Sequence, residues 1–140
     1  MSLPLVASRG EAVQSAPRTI LVVDHRETIR RVLALILEAE GYEVVTTDAA
    51  SAAVALVFEL QPAAVILDVS LTEHSALSAL RLLRADKRTQ SLPVVLLDSC
   101  TAALTNADLA LVQAVLTKPL DLDALVLHMA GLVGPPVAVA

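Results

Sequence analysis

Aromatic residues are nearly absent. The 140 residues hold one Tyr, one Phe and no Trp, yet 56% of the chain is hydrophobic. The interior must therefore be built from Ala, Leu and Val, small and branched side chains that suit a sheet covered by helices. Cysteine is equally scarce. Cys100 stands alone, which excludes an internal disulfide, fits a reducing cytoplasm and leaves Cys100 to be read as a small, half-buried hydrophobe. No block of like charge exists, and the net charge is −5. A chain without a basic patch lacks what direct nucleic-acid binding needs. Arg30, Arg31, Arg81, Arg84, Lys87 and Arg88 are scattered over predicted helices and read as solvated. There is no membrane-length apolar run either. The longest stretch without Asp, Glu, Lys or Arg, Ala124 to Ala140, is broken by His128, Gly131, Gly134, Pro135 and Pro136, and falls short of the roughly 20 apolar residues of a spanning helix. The first residues lack the basic start and apolar segment of a signal peptide.

What is present is a set of short apolar runs that each end in a charge. Ala64-Val65-Ile66-Leu67 runs into Asp68, Ile20-Leu21-Val22-Val23 into Asp24, Val94-Val95-Leu96-Leu97 into Asp98, and Ala114-Val115-Leu116-Thr117 into Lys118. Continuous apolar runs of this length predict strands buried on both faces, as in a parallel sheet. Between them lie helical patterns. Ile29, Val32, Leu33, Ile36 and Leu37 recur at helix spacing, and Gly41 follows at a left-handed C-cap position. Glu43–Thr47 is a further strand. Asp48 is a fair N-cap for a helix from about Ala49 to Leu60. After a loop, Val69 to His74, a helix spans about Ser75 to Arg84. A weaker helix covers Thr101 to Ala110, interrupted at Thr105 and Asn106. Leu122, Leu125, Val126 and Met129 mark the last one. The alternation βα, five times over, implies one α/β domain with a doubly wound parallel sheet. Residues 1–17 read as a flexible lead-in, 18–132 as the domain, and 133–140 as a C-terminal tail or the start of a linker.

If the strands lie parallel, three carboxylates and one ammonium converge on the carboxyl edge, where open α/β sheets place functional groups. Such a cluster can hold a hard divalent cation through carboxylate oxygens, or offer one carboxylate as a nucleophile with neighbouring charges neutralised. A nucleotide- or flavin-binding enzyme is disfavoured, because the turn Asp24-His25-Arg26-Glu27-Thr28 has no glycine to let a phosphate approach the backbone. A transition-metal site using His25, Asp24 and Asp68 is chemically sensible. His74 and His128 read as surface residues.

From Arg18 to about Leu132 the chain resembles the receiver domain of two-component response regulators. The carrying residues are Ile20 to Asp24 with Ile29-Arg30-Arg31-Val32-Leu33 behind them, Val65-Ile66-Leu67-Asp68, Leu92-Pro93-Val94-Val95, and Lys118-Pro119-Leu120. The resemblance implies a flavodoxin-like (βα)5 fold with strand order 2-1-3-4-5. It implies a phosphorelay in which Asp68 is the phosphoacceptor, served by a histidine kinase or phosphotransfer protein. Lys118 would sense the phosphate, and Asp24 and Asp98 would complete the acidic pocket. Mg2+ would lie on Asp24, Asp68 and the Ser70 main-chain carbonyl. The Lys118–Pro119 bond would be cis, and the domain would be a phosphoacceptor in the cytoplasm rather than an enzyme, with slow autodephosphorylation at most.

Several positions depart from the family pattern. His25 stands where a second acid is usual. Imidazole is a poor partner for Mg2+, so His25 makes Mn2+ an alternative ion. Asp98 stands where a hydroxyl is usual, and Ser99 falls one residue late. A unit charge about 5 Å from another costs roughly 3 kcal/mol at an effective dielectric near 20, so Asp98 would oppose a phosphoryl group. Val115 replaces the switching aromatic, and Leu71, Thr72 and Ala76 replace the Met-Pro pair and later Gly. The alternative function is a phosphorylation-independent pseudo-receiver, an interaction or dimerisation module with Lys118 bridging Asp68 and Asp98. Leu104, Leu109, Leu111, Leu125, Val126 and Leu127 suggest a partner or homodimer face within 101–132.

Overall fold

The structure, a computed structural model, describes residues 18–69, 73–98 and 104–134, without the side chains of 73 and 74. Ser70, Ser99 and Cys100 lie outside them, as do the predicted lead-in and most of the predicted tail. Among the described residues ten elements alternate: β1 Thr19–Val23, α1 Glu27–Ala39, β2 Glu43–Thr47, α2 Ala50–Leu60, β3 Ala64–Asp68, α3 Glu73–Ala85, β4 Val94–Asp98, α4 Asn106–Leu109, β5 Ala114–Thr117 and α5 Leu122–Val133. The five strands form one parallel sheet in the order β2-β1-β3-β4-β5. This is the doubly wound, flavodoxin-like arrangement that the resemblance implies.

The apolar runs dictate the layers, because alternate side chains of a strand face opposite ways. Ile20, Val22, Ala64, Ile66, Val95 and Leu97 meet Leu33 and Leu37 of α1 and Leu125, Met129 and Val133 of α5. Leu21, Val23, Val65, Leu67, Val94 and Leu96 meet Ala53 and Val57 of α2 and Leu77, Leu80 and Leu83 of α3. Every residue of β3 and β4 is buried, whereas β5, at the sheet edge, is only half-buried.

Local signals set the element ends. Gly41 takes φ 103°, its N–H donates to the Glu38 carbonyl, and the Tyr42 N–H donates to the Leu37 carbonyl. That is a Schellman end to α1, with buried Tyr42 and Leu37 sharing one core. Asp48 is not the N-cap of α2. Ala49 is, and it makes no side-chain cap bond, while Asp48 is exposed. Of the predicted Thr101–Ala110 helix, residues 101–103 lie outside the described residues, and among the rest Asn106–Leu109 form α4. Thr105, expected to interrupt a helix, instead starts one: its hydroxyl accepts from the Asp108 N–H, and Asp108 accepts from the Thr105 N–H. Those bonds hold the Asp108 carboxyl below its ordinary 3.8, the Thr105 N–H contributing most and Arg81 assisting. The stabilisation is complete above that ordinary value and is lost as pH falls through the lower folded one.

Arg31, Arg81, Lys87 and Arg88 are exposed, as their spacing suggests, whereas Arg30 and Arg84 are partly buried. Arg84 of α3 donates to the carbonyls of Leu111 at 2.8 Å, Thr89 at 3.0 Å and Gln90 at 3.2 Å, tying two loops to its helix. Burial pushes its guanidinium pKa down. Arg81 reaches Asp108 at 3.0 Å, and Arg88 stacks 4.5 Å from the Phe58 ring centre. The apolar surface expected within 101–132 is narrower than its leucine content suggested. Leu125 is core, Leu104 and Leu111 pack against the α2–α3 side, and Leu109 and Leu127 are the exposed members. Among the described residues no helix is long and apolar enough to cross a membrane.

Leu96 is fully buried and Leu35 is 68% exposed. Leu96→Ala is expected to lose about 2–5 kcal/mol of unfolding free energy, and Leu35→Ala less than about 0.5 kcal/mol, by urea denaturation followed by circular dichroism.

Candidate functional site

The parallel register brings the strand-end charges to one edge. Val23 pairs with Leu67, and Asp68 with Leu97, so Asp24 and Asp68 emerge from neighbouring strands at the same level. Asp98 pairs with Thr117 one step further along. All three carboxylates are buried: Asp24 and Asp68 have no exposure and Asp98 has 8%. Lys118 follows β5 directly. Its backbone N–H donates to the Asp98 carbonyl at 2.8 Å, and its Nζ donates to Asp68 Oδ1 at 3.0 Å. The Lys118–Pro119 bond is cis. By strand alternation Asp68 shares the parity of Ala64 and Ile66, on the α1–α5 side, and Asp98 that of Val94 and Leu96, on the α2–α3 side. The two acids therefore leave their strands toward opposite layers. Val115 of β5 packs, partly buried, against the α2–α3 core.

His25 and Arg26 stand over the carboxylates, about 45% and 37% exposed in their side chains. His25 Nδ1 lies 3.5 Å from Asp68 Oδ2 and 3.7 Å from Asp24 Oδ1. Arg26 does more. Its backbone N–H donates to Asp24 Oδ1 at 2.8 Å, its Nε donates to the same oxygen at 3.2 Å, and its Nη2 donates to Oδ2 at 3.1 Å. Nη2 also lies 3.7 Å from Asp68 Oδ2. The bond to Asp24 raises the Arg26 pKa further above its ordinary value, against the opposing effect of burial. Arg30 adds a bond from Nη1 to the Asp24 main-chain carbonyl at 2.9 Å.

Asp24, His25 and Asp68 each offer a ligand atom within 4.8 Å of the others. Two carboxylates fit a hard divalent ion, and the imidazole widens the fit to softer ones such as Mn2+. Arg26 is the residue that sequence reasoning left out of the site. A signal existed: an Asp followed two positions later by an Arg, just past a strand. Asp commonly accepts the N–H two residues on. Asp86-Lys87-Arg88 makes the same three bonds, at 2.8, 3.1 and 2.9 Å.

A family model described as the response regulator receiver domain matches residues 20–130. Over 122 residues the chain is 31% identical to the Mycobacterium tuberculosis protein named "Probable transcriptional regulatory protein TcrX", covering 83% of this chain and 50% of that one. It is 32% identical over 129 residues to the CAI-1 autoinducer sensor kinase/phosphatase CqsS of Vibrio cholerae, covering 88% of this chain and 18% of that one. The chain thus spans half the length or less of these relatives. Among solved structures, the signal receiver domain of a signal transduction histidine kinase from Syntrophus aciditrophicus superposes with a TM-score of 0.71 at 25% identity, over 84% of this chain and 90% of that one.

Removing one partner of a buried ion pair strands the other charge. Lys118→Met is expected to cost about 3 kcal/mol or more, and the double variant Lys118→Met/Asp68→Asn to recover most of that loss. A double-mutant cycle from urea denaturation reads the coupling.

Proposed function

The chain belongs to the response regulator receiver domain family of two-component signalling, and on that premise we propose that Asp68 accepts a phosphoryl group from a histidine kinase or phosphotransfer protein. The observation that carries this reading is the ion pair of Lys118 Nζ with Asp68 Oδ1 at 3.0 Å, at the sheet edge beside Asp24. An Asp68 oxygen attacks the phosphorus of a phosphohistidine. The P–N bond breaks, its electron pair returns to the imidazole, and an acyl phosphate forms on Asp68. Lys118 orients the carboxylate beforehand and then faces the new phosphoryl oxygens as a fixed positive charge. Asp24 and Asp68, with His25 and the Ser70 main-chain carbonyl as further ligands, would hold a divalent cation, which would supply positive charge at this edge. Mg2+ is the expected ion and Mn2+ the better match to His25.

Asp98 limits how long the phosphoryl group persists, because two anionic groups would share this edge. Its departure toward the α2–α3 layer supports tolerance rather than exclusion. The added charge on Asp68 biases the half-buried surface of α4, β5 and α5, with Val115 in place of an aromatic switch. An output module or partner reads that surface, and the exchange takes place in the cytoplasm.

Intact-mass analysis after incubation with acetyl phosphate and Mg2+ tests the reading. One adduct of roughly 80 Da is expected, absent from Asp68→Asn. Replacing Mg2+ with Mn2+ is expected to raise its yield. An adduct retained in Asp68→Asn, or none with either ion and a histidine phosphodonor, would remove Asp68 from its role.

A further inference from the structure

Within the reading above, on which this inference rests, we propose that Arg26 is a resident counter-cation of the pocket. Its guanidinium neutralises Asp24 and Asp68 while no divalent ion is bound, and it must release Asp24 before an ion can use that carboxylate.

The geometry is specific. A carboxylate offers about four lone-pair sites. Arg26 takes three of those on Asp24, two through its guanidinium and one through its backbone N–H. Nη2, on Asp24 Oδ2, is also 3.7 Å from Asp68 Oδ2, so the guanidinium stands between the carboxylates whose oxygens an ion would share. Asp24 is wholly buried, and a buried carboxylate needs a cation. At 37% exposure, the Arg26 side chain has solvent to move into. The clamp is also local. Asp86 and Arg88 reproduce it on the surface, and there it holds the Asp86 carboxyl at about 2. The Asp-x-Arg unit therefore does not need the pocket in order to close, and the pocket inherits it. Ion and guanidinium compete for the same oxygens, so the affinity for the ion is reduced by the fraction of molecules in which Arg26 has swung out.

The probe is Mn2+ alone, with no phosphodonor. Free Mn2+ is counted by electron paramagnetic resonance against the full chain as wild type, Arg26→Ala and Arg26→Lys. If the released state is a minor one, at about 1–10% of molecules, Arg26→Ala is expected to bind Mn2+ about 10- to 100-fold more tightly than wild type. Arg26→Lys, which keeps the charge and loses the bidentate fork, is expected to fall between them. Asp24→Asn is expected to abolish binding in both the wild-type and Arg26→Ala backgrounds. In wild type, adding Mg2+ is expected to move the Arg26 Nε–H resonance toward solvent exchange. Should Arg26→Ala unfold without metal, Arg26→Gln replaces it, and a larger Mn2+-induced rise in melting temperature than in wild type is expected. Equal or weaker Mn2+ binding by the variants, or binding that survives Asp24→Asn, would overturn the proposal. A failed mass adduct at Asp68 with tightened Mn2+ binding in Arg26→Ala would sink phosphoacceptance and leave the counter-cation standing. The converse pair of results would do the opposite.

Discussion

Two carboxylates with no solvent exposure, Asp24 and Asp68, set the terms for the carboxyl edge of this sheet. Each ionised group removed from water costs several kcal/mol unless a cation and hydrogen bonds replace the lost solvation. The chain meets that requirement with Lys118 on Asp68 and Arg26 on Asp24. Arg26 is the N-cap residue of α1 and Lys118 opens the β5–α5 connection, so both cations sit at element ends on this edge. Lys118 is further tied by its own N–H to the Asp98 carbonyl, so the ammonium is aimed by backbone geometry as well as by charge.

The two cations arrive by different routes. Arg26 is two residues from its partner and closes a local turn. Lys118 is 50 residues from Asp68, and it depends on β4 lying between β3 and β5. The same local clamp closes at Asp86 and Arg88, outside the pocket. The Lys118 pair exists only in the folded sheet. The pocket thus joins a contact made within three residues of chain with one that requires nearly the whole fold.

Rigidity is unevenly spread around this edge. β3 and β4 are buried throughout and carry Asp68 and Asp98, while β5 is half-buried and α4 has four residues. Few buried contacts make a region the easier one to rearrange. Arg84 holds the Leu111 and Thr89 carbonyls to α3, while Leu109 and Leu127 stay exposed.

The sequence by itself determined the strands, because an unbroken apolar run of four or five residues between charges has one comfortable place, inside a two-sided sheet. It determined the α1 end at Gly41 and the convergence of Asp24, Asp68, Asp98 and Lys118, since parallel strands must share an edge. The receiver family was legible from the same runs and the spacing of their terminal charges. Tertiary structure alone decided that Lys118 meets Asp68. Charge pairing between distant residues depends on distance through space, and neither that pair, 50 residues apart, nor the burial of Arg84 among loop carbonyls follows from helix spacing. It also decided that Asp98 and Asp68 leave their strands toward opposite layers, because that depends on register between strands, which no single strand contains.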